Sequence, residues 1–113
     1  MKKGEWCPDR GDLIWLDFNP QSGAEQAGKR PALVVSPAKY NLKVGLALVC
    51  LVTTRAKGYP FEVALPEGSS ISGVILADQL KSLDWRTRHA EYAGRVPEET
   101  VNDVLARIAT LFG

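Results

Sequence analysis

The stretch GAEQAGKRPALVV, Gly23 to Val35, sets Glu25, Gln26, Lys29 and Arg30 into a glycine-containing segment and then runs directly into apolar residues. Solvation alone asks only for polarity. Glu25 adds a proton acceptor, and Arg30 adds a cation that keeps its charge and can grip an oxyanion through two parallel N–H groups. A bland alternative stays open at this point: polar loops are solvated whether or not they act. Arg30, beside Pro31 at the start of a buried run, can also cap a strand edge or pair with Asp12 or Asp17.

Several other chemistries have no residues to carry them. His89 is the only histidine, so no His/Cys cluster for zinc is expected, and no glycine-rich phosphate loop ends in Lys-Ser or Lys-Thr. Cys7 precedes a proline and Cys50 lies in an apolar run, with neither metal-ligand nor redox spacing. No cofactor and no metal are expected. His89, in RTRHAEYAG, reads as a surface residue.

The elements that must position these groups follow from pattern. A chain of 113 residues fits one domain, taken here as residues 1–113, with 45% hydrophobic and 24% charged residues as in ordinary globular proteins. The net charge of +1 gives no general nucleic-acid footprint, so any polyanion site must be local. No apolar stretch reaches membrane-spanning length and the N-terminus lacks a signal-peptide pattern, which points to a cytoplasmic protein with no membrane contact.

GDLIWLDF reads as a strand and NPQSGAEQAG as a long loop; RPALVVS and VGLALVCLVTT read as core strands separated by the punctuation of PAKYNLK. YPFEVAL alternates, and GVILADQLKSLDW is extended with rising polarity. After Pro97, Val101, Val104, Leu105, Ile108 and Phe112 recur at helical spacing behind Glu98 and Glu99, predicting a C-terminal amphipathic helix. Short strands followed by one helix imply a mainly β fold, a small curved barrel or barrel-like sheet with the helix packed on it.

The order GDLIWLDFNP, GAEQAGKRPALVVSP, a TT pair closing an apolar strand, KGYPFEV and LADQLKSLDWR resembles the MazF/PemK family of toxin endoribonucleases, and the MazF branch most. The resemblance runs from about Pro8 to the C-terminus. It implies an SH3-like barrel of the MazF/PemK/CcdB type, a homodimer, metal-independent cleavage of single-stranded RNA at specific sequences, and inhibition by a small MazE-like antitoxin with an acidic disordered tail. It also implies roles. Arg30 and Thr53 form the catalytic pair, with Glu25 as their acidic neighbour, because attack by an RNA 2′-hydroxyl needs a proton acceptor, a cation for phosphorane charge and a donor to orient the phosphate.

Under that resemblance the polar residues around these three become RNA-binding candidates: Gln26, Lys29, Thr54, Arg55, Lys57, Tyr59, Asp78, Gln79, Lys81 and Arg86. RAKGYPF, Arg55 to Phe61, offers two cations and Tyr59 beside Gly58, suiting either a base-reading loop or a solvated turn. Asp78, Gln79 and Lys81 fit a groove lip or a charged strand edge equally. Trp15, Phe18 and Trp85 are able to stack on bases, but in LIWLDF and SLDWR they better suit the core or a dimer contact. A rival class shares the implied fold: a CcdB-like toxin that binds and poisons DNA gyrase without catalysis.

Overall fold

The structure is a computed structural model that describes residues 6–18 and 28–113. Among these residues six strands make one antiparallel sheet: β1 Asp12–Asp17, β2 Lys29–Val34, β3 Ala47–Thr53, β4 Glu62–Ala64, β5 Val74–Leu83 and β6 Glu91–Arg95. Their spatial order is β4-β5-β3-β2-β1-β6. The ladder stays open between the edge strands β4 and β6, so the expected barrel is realised as a sheet that does not close on itself. Among the described residues two helices join it, α1 Ala38–Val44 and α2 Glu98–Thr110.

Alternation along the central strands supplies two cores, one on each face. In β1, Leu13 joins one cluster while Ile14 and Leu16 join the other; in β2, Leu33 faces the first while Ala32 and Val34 face the second. The first cluster is closed by α2, whose Val101, Val104 and Ile108 are buried against the sheet. Arg107 pairs with Asp103 one turn earlier and donates to the Pro60 carbonyl. Phe112, expected on the apolar stripe, lies beyond the last helical residue and is 81% exposed.

The second cluster is capped by Trp85, which is 4% exposed and donates its indole N–H to the Asn41 carbonyl at 3.0 Å. That contact depends on α1, which occupies the segment PAKYNLK, read from sequence as punctuation only. Pro37 and Gly45 bound a helix of 7 residues, too short to display a 3.6-residue period. Its fixed point is Asn41, fully buried, whose amide donates to the carbonyls of Pro8 at 2.8 Å and Ser36 at 3.0 Å. A buried amide so satisfied costs little to desolvate.

β6 was also illegible as a strand, because EYAGR on an exposed edge has no alternating apolar face. Its pairing with β1 is irregular between Leu13 and Ile14. Arg95 at its end donates to Asp12 at 2.6 Å. Burial of Asp12 raises its pKa above the ordinary value despite that partner. Cys50 is fully buried on β3, and desolvation, reinforced by the Asp78 charge, pushes its thiol up to about 12.

Candidate active site

Antiparallel pairing brings the start of β2 to the end of β3. Ala32 faces Leu51 in this register. Two residues further along each strand stand Arg30 and Thr53, and the period of two puts both on the same face as that pair. Arg30 is exposed, its guanidinium 5.7 Å from the centre of the Phe18 ring. Neither carboxylate considered as its partner is available to it: Asp12 is bound by Arg95 at 2.6 Å, and Asp17 by Lys29 at 3.2 Å and His89 at 2.8 Å. Among the described residues Arg30 makes no ion pair, so its charge faces a groove.

Thr53 is half-buried, and its hydroxyl oxygen accepts from the Arg55 amide at 3.1 Å. On its other side Thr53 pairs with Val74 of β5. The residue before Val74 is Gly73, at φ +124°, where a β-carbon would fall 2.2 Å from the Thr53 carbonyl oxygen. Only glycine permits this approach.

Arg30, Val52 and Thr53 form a wall shared by two open grooves. One, of about 490 Å³, continues along Trp15, Pro31, Ser70, Ile71 and Ser72. The other, of about 370 Å³, continues along Arg55, Lys57, Tyr59, Glu62, Leu76 and Gln79. A polymer crossing from one groove to the other passes over Arg30 and Thr53.

The second groove is bounded by the segment RAKGYPF. The Glu62 carboxylate accepts from the amides of Lys57 at 2.7 Å and Gly58 at 2.8 Å. Tyr59 donates its hydroxyl to Asp78 at 2.9 Å, and this bond, with the nearby carboxylates, raises the phenol's pKa. Arg55, Lys57, Tyr59 and Gln79, all named from sequence, are thus brought together, with Asp78 attached through Tyr59. Thr54 lines the first groove.

Other candidates have different surroundings. Glu25 and Gln26 lie outside the described residues. Lys29 is engaged by Asp17 and stands 3.9 Å from Glu91, and its ammonium also reaches the His89 carbonyl at 3.2 Å. His89 is exposed as expected, but it is bound to Asp17, and these two hydrogen bonds, that of His89 first, hold the Asp17 carboxyl below its ordinary pKa. Lys81 and Arg86 line neither groove; the Arg86 guanidinium lies 4.4 Å over the Trp85 ring. Trp85 is core, whereas Trp15 is half-buried in a groove wall and Phe18 carries Arg30 and, at 5.9 Å, Arg88.

Sequence reading did not single out Ser70, Ser72 or Glu62. In EGSSISG the serines stand among glycines as turn formers around the single apolar Ile71, and Glu62 sat in an alternating strand as one more outward polar residue.

The sequence pattern of the PemK-like, MazF-like toxins of type II toxin-antitoxin systems matches residues 9–112. The chain belongs to this family. It is 52% identical to the endoribonuclease toxin MazF of Escherichia coli K12 over 108 residues, covering 96% of each chain. With the E. coli endoribonuclease PemK the identity is 36%, over 91% of this chain and 80% of that protein. The fold superimposes on crystalline MazF from Deinococcus radiodurans with a TM-score of 0.86 and 52% identity, covering 96% of this chain and 99% of the other. The MazF-type architecture, mainly β with a C-terminal helix, is therefore shared, and the resemblance carried by GDLIWLDFNP and GAEQAGKRPALVVSP is that of a true relative.

Proposed function

We infer that this chain is the endoribonuclease toxin of a type II toxin-antitoxin pair and that it cleaves single-stranded RNA through the substrate's own 2′-hydroxyl. The observation that carries this reading is the placement of Arg30, without an ionic partner among the described residues, beside Thr53 on the wall common to two grooves. An RNA strand lying in both grooves has its scissile phosphate there. Relatives at 52% and 36% identity bear the names endoribonuclease MazF and PemK, which favours this over the gyrase-poison reading.

The chemistry follows from the groups available. Glu25 takes the 2′-hydroxyl proton as the 2′-oxygen attacks phosphorus. The bond to the 5′-oxygen breaks, that oxygen leaves as a hydroxyl by taking a proton from solvent water, and a 2′,3′-cyclic phosphate remains. Arg30 meets the charge that develops on the non-bridging oxygens, where a preorganised donor contributes most. It does so as a fixed cation, since guanidinium does not readily surrender its proton. The Thr53 hydroxyl, accepting from the Arg55 amide, keeps its own hydrogen to donate to a phosphate oxygen. Lys57, Arg55, Tyr59, Gln79 and Asp78 flank the strand and read its bases, while Lys29 acts as a tether for the end of β1 as well as a nearby charge.

The partner that silences the toxin is a MazE-like antitoxin, as in the MazE–MazF crystals of the D. radiodurans relative, which this chain matches with a TM-score of 0.87 and 48% identity. An acidic, disordered tail complements the Arg30, Arg55 and Lys57 charges at the grooves. The toxin acts as a homodimer in the cytoplasm, where its RNA substrate is; among the described residues no helix is long and apolar enough to cross a membrane.

The test is an RNA cut by the purified chain at a mapped site, remade with a single 2′-deoxy sugar on the 5′ side of that site. The modified strand is expected to bind and stay intact in buffer containing EDTA, while the unmodified strand is cut there. Cleavage of the deoxy strand overturns 2′-hydroxyl attack.

A further inference from the structure

We propose that Glu62 is a positioning residue which presets the Arg55–Phe61 segment for RNA, by holding the amides of Lys57 and Gly58 on its two carboxylate oxygens. This rests on the ribonuclease reading of the grooves and adds a residue and a function to it.

The sheet does not need this carboxylate. The turn into β4 is already closed by the Glu62 amide, which donates to the Tyr59 carbonyl at 3.1 Å, and β4 is fixed by pairing Glu62, Val63 and Ala64 with Leu76, Ile75 and Val74. Burial does not demand the bonds either, because Lys57 and Gly58 are exposed and water would satisfy their amides.

A carboxylate in the wall of a groove for a polyanion also repels its ligand. That cost is offset when both oxygens are occupied by N–H donors, which draw its charge away from the groove. The two bonds of 2.7 and 2.8 Å do this, and they fix consecutive residues of a segment that has no regular structure of its own. Gly58 sits at φ +82° with nothing within 4 Å of a would-be β-carbon, so its conformation is set by the clamp and not by packing. Downstream, Tyr59 is fixed by Asp78. The segment therefore spans from Arg55, bound to Thr53, to Tyr59, bound to β5, with Glu62 holding its middle. A preset segment gives up less entropy when RNA binds, so the clamp acts on affinity and on sequence discrimination and not on the bond-breaking step.

The experiment compares wild type with Glu62→Gln. Amide exchange in the RNA-free protein is expected to quicken at least tenfold at Lys57 and Gly58 while β3 amides are unchanged, the control that the fold persists. The Kd for the uncleavable 2′-deoxy RNA is expected to weaken about fivefold, with additional minor cleavage sites, and the single-turnover rate at saturating RNA is expected to stay within about twofold. Gly58→Ala, which strains the same segment and keeps Glu62, is expected to weaken binding in the same direction. Unchanged exchange at Lys57 and Gly58 overturns the clamp. A fall in the saturating rate with unchanged Kd overturns the positioning role and places Glu62 at the reacting atoms. The exchange measurement needs no RNA, so failure of the wild-type chain to cut RNA counts against the ribonuclease reading separately.

Discussion

Arg30 and Thr53 lie on neighbouring antiparallel strands, each two residues beyond the Ala32–Leu51 pair, and both line the two grooves that meet between them. Strand register fixes their separation, whereas a side chain on a loop would need further support. Neither is buried, so their removal tests chemistry with little disturbance of packing.

Arg30→Ala is expected to lower single-turnover cleavage by about 100- to 1000-fold, the usual effect of losing one preorganised donor at a developing oxyanion. Arg30→Lys restores only part of it, since a point charge cannot replace the planar two-pronged contact. Thermal unfolding of both variants should stay within about 0.5 kcal/mol of wild type, because Arg30 is exposed and makes no ion pair among the described residues.

Gly73 is the steric support of Thr53. Gly73→Ala pushes a methyl group into the Thr53 carbonyl at a φ of +124°, so β5 and the end of β3 must part. The expected cost is at least about 2 kcal/mol in unfolding free energy. Cleavage measured well below the melting temperature should fall more than tenfold, whereas a merely less stable protein would retain its rate there.

Asp17 ties the end of β1 to Lys29 and His89, and its pKa is lowered by those bonds. A lowered carboxyl pKa lends stability that is complete above the ordinary value of 3.8 and is lost as pH falls through the lowered value. Asp17→Asn should therefore melt below wild type near neutral pH and converge with it in acid. Asp12, raised by burial, has the opposite slope but is common to both proteins, so their difference reports Asp17 alone. A difference that persists unchanged into strong acid would contradict the assignment.

How much of this was legible in the sequence depended on whether a residue's partner lay near in pattern or far in space. DLIWLD revealed β1 as a short apolar run followed by turn formers, the mark of a strand buried on both faces, and the Val101, Val104, Ile108 spacing revealed α2, because burial on one helix face imposes a period on the chain itself. α1 was hidden by its brevity and by its anchoring through a buried amide, Asn41, whose partners Pro8 and Trp85 are remote in sequence. β6 was hidden because an exposed edge strand has no apolar alternation to show.

At the site, the residue types before Pro31 announced a fixed cation but not what it faced. That Asp12 and Asp17 are occupied by Arg95, Lys29 and His89 is a property of tertiary contacts, and it is what leaves Arg30 for the groove. Lys29 shows the converse: identical in charge and adjacent in sequence, it is spent on Asp17. Glu62 escaped notice because its two acceptor bonds are made to backbone amides, which every residue type except proline offers.

The chemical identity of the cut ends tests the central claim most directly. Purified chain incubated with a long single-stranded RNA in EDTA should release discrete fragments whose upstream ends carry a 2′,3′-cyclic phosphate and whose downstream ends carry a free 5′-hydroxyl, as read by mass spectrometry. Fragments with a 3′-hydroxyl and a 5′-phosphate would mean that water or a metal-bound hydroxide is the nucleophile, and would contradict the roles given to Glu25, Arg30 and Thr53.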